Sequence, residues 1–186
     1  MLFRSQPLVQ KVTLIPRGQA AGLTWFTPDE EQTLVSRGQI LARITTALGG
    51  RAAEEAVFGA AEVTTGAGGD LQQVGGMARQ MVTRYGMSNI GQLALEGQSS
   101  EVFLGRSMGG GSQFSEDISA KIDQQVREIV QKCYQTALQI VYENRTAIDR
   151  VVDLLVEAET IDGEEFRRIV SEYTALPVKE RFVPQI

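Results

Sequence analysis

The sequence predicts a mainly α fold of the α+β class: a small amino-terminal β-hairpin with an edge strand, followed by helices that end in a carboxy-terminal helical bundle. Three observations carry this expectation. Val9–Ile15 alternates apolar with polar residues, apolar positions after residue 36 recur at steps of three and four, and glycine or polar clusters punctuate the helical stretches.

Taken in order, Met1–Ser5 has neither the apolar core of a signal peptide nor a transit-peptide composition, and residues 1–5 are expected to be a non-native prefix. Val9–Ile15 is followed by Pro16-Arg17-Gly18 and then by Gly22-Leu23-Thr24-Trp25-Phe26, rich in β-formers, which together predict a hairpin. Ser36 can cap a helix carrying Ile40, Leu41, Ile44, Ala47 and Leu48 on one face. Gly49-Gly50 interrupts it, and Arg51–Phe58 resumes helical composition up to Gly59, so one helix with tightly packed glycines or two short helices are expected. The turn Thr64–Gly69 opens a helix to about Tyr85 with Leu71, Val74, Ala78, Met81 and Val82 as its apolar face.

Gly97–Gln113 reads as a loop, with Val102–Leu104 as a short strand within it. From Ser115, an N-cap candidate, Ile118, Ile122, Val126, Ile129, Cys133, Ala137 and Ile140 mark a long amphipathic helix. Asn144 interrupts it; Ile148, Val151, Val152 and Leu155 follow on the next helix, and Thr160–Gly163 leads into a last one ending near Tyr173. The tail from Pro177 is expected to be extended.

Composition narrows the function. With 186 residues, 42% hydrophobic, the chain is long enough for one sizeable core. Its net charge of −5, with 18 Lys and Arg spread thinly, argues against nucleic acid as a partner. The apolar runs are far below the ~18 residues that would span a bilayer, so no membrane segment is expected in this chain. Cys133 is the single cysteine, which excludes an internal disulfide and suggests a buried thiol in a reducing compartment.

The chemistry centres on Asp70, at the start of a helix behind a glycine-rich turn. A carboxylate there can accept hydrogen bonds from free backbone N–H groups and complement the helix dipole, or it can ligate a metal. The chain contains no histidine, so it cannot complete a zinc site from N and S donors. The turn also lacks the Gly-Lys-Ser/Thr ending of a phosphate-binding loop. Glu54 and Glu55 point about 100° apart on their helix, so both can be solvated or one can face inward. Trp25 suits a core position better than a ligand contact.

Four ordered segments then carry a resemblance: Lys11–Gly18, Gly49-Gly50-Arg51-Ala52-Ala53-Glu54-Glu55, Thr65-Gly66-Ala67-Gly68-Gly69-Asp70-Leu71, and Met81–Ser88. From about residue 8 onward the chain resembles the peptidase domain of the FtsH family, membrane-anchored ATP-dependent zinc metalloproteases, and its Lys179–Pro184 segment resembles the cyanobacterial and chloroplast branch.

The resemblance implies an FtsH-type helical peptidase fold, with residues 6–95 as a truncated zinc-peptidase core and 96–186 as a helical subdomain of the same domain. It implies that Asp70 is the third zinc ligand, and that the family's HExxH helix, with two histidines and the general-base glutamate, would fall before residue 1. Glu54 then matches an acid near the metal, where a carboxylate can orient a ligating histidine. Gly22, Leu23, Thr24 and Trp25 match the family's edge strand, whose main chain can pair with an extended polypeptide substrate.

For the full-length protein the resemblance implies zinc, ATP and Mg on an AAA module, a homo- or hetero-hexamer, and a thylakoid or plasma-membrane anchor with the peptidase on the stromal or cytoplasmic side. This chain alone is expected to be soluble, to bind no zinc and to be inactive. The competing expectation is a non-catalytic helical oligomerisation module, a pseudo-protease scaffold.

Overall fold

The computed structural model describes residues 8–16, 22–27, 34–95 and 115–174. The expected prefix 1–5, the loop with its strand at 102–104, and the tail from Pro177 lie outside them. Three strands and six helices follow one another: β1 (Val9–Thr13), β2 (Leu23–Phe26), α1 (Arg37–Ala47), α2 (Gly49–Phe58), α3 (Gly68–Thr83), α4 (Glu116–Glu143), α5 (Arg145–Ala158), β3 (Thr160–Asp162) and α6 (Gly163–Tyr173). The mainly α, α+β expectation holds. Two compact units divide the chain, residues 1–42 with 138–186 and residues 43–137.

In the first unit an antiparallel sheet runs in the order β2-β1-β3. β1 and β2 form the predicted hairpin, with a bulge between Val9 and Lys11. β3 is not foreseen, because Thr160–Asp162 reads locally as a helix lead-in. It becomes a strand because β1 offers it a ladder, Lys11 to Asp162 and Thr13 to Thr160. Thr13, buried, secures that junction: its Oγ1 lies 2.8 Å from Thr160 Oγ1 and donates to the Glu159 carbonyl at 3.2 Å. The Glu159 carbonyl also accepts the Leu14 N–H at 2.8 Å.

Helix α6 begins against β1. Asp162 caps it by accepting the Glu165 N–H at 2.8 Å, and Arg167 Nη1 donates to the Val9 carbonyl at 2.8 Å. Gly163 is required at this contact, since a Cβ there would lie 2.1 Å from Val9 O and 2.9 Å from Gln10 Cα. Ile161 and Ile169 are buried on either side of that junction in sequence.

The second unit is helical. Its buried side chains come from α1 (Ile44), α2 (Ala52), α3 (Val74, Ala78, Met81, Val82) and α4 (Ile122, Ile129, Cys133), at the predicted three-and-four spacing. Burial holds the Cys133 thiol above its usual pKa, against a smaller opposing effect from a Thr45 hydrogen bond. Two of the helix starts, those of α1 and α4, carry side-chain caps as expected. Ser36 Oγ accepts the Gln39 N–H at 3.3 Å while Gln39 Oε1 accepts the Ser36 N–H at 2.7 Å, and Ser115 Oγ accepts the Ile118 N–H at 3.4 Å.

Four expectations need correction. Gly49 and Gly50 begin a separate α2 after Leu48, and a Cβ on either would meet nothing within 4 Å among the described residues, so tight packing is not their use. Leu71 and Val152 are 43% and 49% exposed rather than on the buried faces of their helices. Trp25 is 48% exposed because every residue of β2 lies open, so it is not a core residue.

Candidate functional site

The Asp70 segment belongs to the 43–137 unit. Thr64 caps a single turn of 3-10 helix over Thr65–Ala67 that runs without a break into α3, and Asp70 is the third residue of α3. Ala67 is buried beneath this turn, whereas Gly66, Gly68, Gly69 and Asp70 are exposed. The Asp70 side chain makes no hydrogen bond or ion pair among the described residues, so it complements the positive end of α3 by position without capping its N–H groups.

What holds the turn is the preceding helix. Glu54, on α2, accepts at both carboxylate oxygens from one residue: Oε2 from the Thr64 N–H at 3.0 Å and Oε1 from the Thr64 hydroxyl at 2.7 Å. Arg51, one turn earlier on the same face, donates from Nη1 to the Thr64 carbonyl at 2.9 Å. Thr64 Oγ1 in turn accepts the Gly66 N–H at 3.2 Å. The hydroxyl bond, the backbone bond and the nearby Arg51 charge together outweigh desolvation and hold the Glu54 carboxyl below the usual carboxylate range. Glu55, its neighbour, accepts the Tyr134 hydroxyl from α4. Neither acid is merely solvated.

Thr64, Arg51 and Tyr134 are the residues that sequence reasoning passed over. The available signal was the i,i+3 placement of Arg51 and Glu54, which puts a cation and an anion on one helix face aimed at the same neighbour.

As a zinc site, the described residues are incomplete: they contain no group of three His, Cys, Asp or Glu able to hold a metal ion, and the sequence has no histidine. Asp70 nonetheless fits as one oxygen donor, being exposed, without a side-chain partner among the described residues and set in the first turn of α3.

The other predicted site is in the first unit. Gly22 precedes β2, and Leu23, Thr24 and Trp25 lie along it opposite Thr13, Val12 and Lys11 of β1. β2 stands at the edge of the sheet, with β1 as its strand neighbour among the described residues.

The chain belongs to peptidase family M41, whose profile matches residues 1–169. It is 57% identical over 179 residues to an ATP-dependent zinc metalloprotease FtsH from Trieres chinensis, covering 96% of this chain and 28% of that protein. It is 58% identical over 164 residues to one from Cyanidium caldarium, covering 88% and 27%. With the chloroplastic ATP-dependent zinc metalloprotease FTSH 2 of Arabidopsis thaliana the figures are 51% over 173 residues, 93% and 25%. The chain thus spans about a quarter of the length of these curated relatives.

Proposed function

We propose that this chain is the peptidase portion of an ATP-dependent zinc metalloendopeptidase that degrades unfolded or membrane polypeptides. Asp70 supplies one zinc ligand, and the remaining donors come from outside this chain. Zinc bound there would supply the Lewis acidity that activates water toward a peptide carbonyl. This chain's own contribution is to present Asp70 at a fixed position and to offer the β2 edge, Gly22 to Trp25, as a strand template on which an extended substrate is read through its backbone. Glu54 serves the metal at one remove, and its two bonds to Thr64 leave lone pairs open to a ligating histidine. The relatives' names support ATP dependence. Hexameric assembly, a Mg–ATP module and a thylakoid or plasma-membrane anchor belong to the same proposal, while no helix among the described residues is long and apolar enough to cross a membrane.

The single observation that carries the reading is an exposed Asp70 whose side chain has no partner among the described residues, at the start of a helix entered through a held turn. Zinc content and casein cleavage of the full-length protein, its Asp70→Asn variant and this 186-residue chain test it. The full-length protein should hold stoichiometric zinc and cleave; Asp70→Asn should lose both, and the short chain should show neither. Full-length protein without zinc or cleavage would favour the scaffold reading, and stoichiometric zinc in the short chain would refute the ligand assignment.

A further inference from the structure

We propose that Thr64 and Arg51 are positioning residues for Asp70: α2 grips Thr64 at its N–H, its carbonyl and its hydroxyl, and thereby fixes the direction in which the turn delivers the Asp70 carboxylate. The inference rests on the reading of Asp70 as a zinc ligand and adds to it how that ligand is aimed. Each of the three polar groups of Thr64 has a partner, the N–H and hydroxyl on Glu54 and the carbonyl on Arg51. A loop residue exposed to solvent ordinarily leaves some of these groups to water. Here one helix face takes all three.

The grip is transmitted over a short, continuous path. The Thr64 hydroxyl accepts the Gly66 N–H at 3.2 Å, the 3-10 turn Thr65–Ala67 follows, the Gly68 N–H returns to the Thr65 carbonyl, and Asp70 stands two residues later. Gly66 lies so near that a Cβ on it would approach the Thr64 hydroxyl to 3.2 Å. Gly68 and Gly69 gain no support from neighbouring side chains, since a Cβ on either would meet nothing within 4 Å among the described residues. Ala67, between Gly66 and Gly68, is buried. The hydrogen bonds to Thr64 therefore add to the restraint of the α3 backbone at its open end, where the Asp70 side chain makes no bond of its own among the described residues.

Three variants separate this from the ligand reading: Thr64→Val, which keeps the shape and deletes the hydroxyl; Thr64→Ser, which restores the hydroxyl; and Asp70→Asn. Amide hydrogen exchange is followed at Gly66–Leu71 in this chain, and the rate of zinc transfer to a chelator is followed in the zinc-loaded full-length enzyme. Thr64→Val should speed exchange across the turn and release zinc about tenfold faster, and Thr64→Ser should return both toward wild type. Arg51→Met should act in the same direction as Thr64→Val. Asp70→Asn should lose zinc while leaving exchange across the turn unchanged. Wild-type zinc release in Thr64→Val, with zinc lost in Asp70→Asn, overturns the positioning role and leaves the ligand reading standing. Zinc retained in Asp70→Asn overturns both.

Discussion

Replacing Gly163 with alanine tests whether the sheet is seated by close backbone approach. The added methyl would stand 2.1 Å from the Val9 carbonyl oxygen and 2.9 Å from Gln10 Cα, whereas a relaxed carbon–oxygen contact is about 3.3 Å or longer. Both neighbours are backbone, so no side-chain rotation relieves the clash and either α6 or β1 must move. Overpacking of this kind costs about 1–3 kcal/mol. Alanine's helical preference over glycine offsets at most about 1 kcal/mol, and less at a first helical position. If α6 withdraws, the Arg167 bond to the Val9 carbonyl at 2.8 Å is also strained, adding up to about 1 kcal/mol. The expected net loss is about 1–3 kcal/mol, a fall in Tm of roughly 2–12 °C for a chain of this size. Thermal melts followed by far-UV circular dichroism measure it, and amide exchange should quicken along β1 and β2 before the rest. A Tm equal to or above wild type would show that α6 yields without cost and that this contact does not seat the strand.

Met81→Ala removes a side chain with no exposure from α3 at a position where alanine favours the helix, so the loss is cavity and transfer energy alone. A fall of about 2–5 kcal/mol in unfolding free energy by urea titration is expected, and a fall under about 1 kcal/mol would place Met81 outside the core. The Glu54 carboxyl has a depressed pKa in the folded chain, so its contribution is full above the ordinary carboxylate pKa and is lost as pH falls through the folded value. The gap in urea midpoint between wild type and Glu54→Gln should therefore be widest near neutrality and close in acid. A gap independent of pH between 7 and 3 would show that the Thr64 bonds do not depend on the charge.

Much of the helical architecture is legible in the sequence because its causes are local. The Ser36–Gln39 capping box, the stop at Asn144 and the three-and-four spacing through Ile122, Ile129 and Cys133 act within a few residues of one another. The hairpin is legible for the same reason. What escapes is set by partners far along the chain. Thr160–Asp162 is a strand only because Lys11–Thr13 lies beside it, and no three-residue window carries that information. Trp25 misleads because composition marks it for the core, while the edge position of β2 leaves it half exposed. Asp70 is legible as a candidate by motif, yet the grip on its turn spans residues 51 to 64 and appears only once α2 and the turn are side by side.

On the proposed reading, that arrangement meets competing demands on a metal ligand. A carboxylate buried enough to be fixed by packing would be desolvated, would rise in pKa, and would be closed to the metal. One left open on a free glycine-rich turn would lose orientational entropy whenever it bound. Here the two tasks are separated: the Asp70 side chain is exposed and without a partner among the described residues, while the turn that leads into its helix is held, ten residues from Glu54, by bonds to Thr64 that need no metal to form. A ligand ordered in advance loses less on binding. On the proposed reading, Thr64→Val therefore weakens the metal site chiefly through disorder of the unbound turn, and its effect on zinc release should track its effect on amide exchange rather than any change in the donor set.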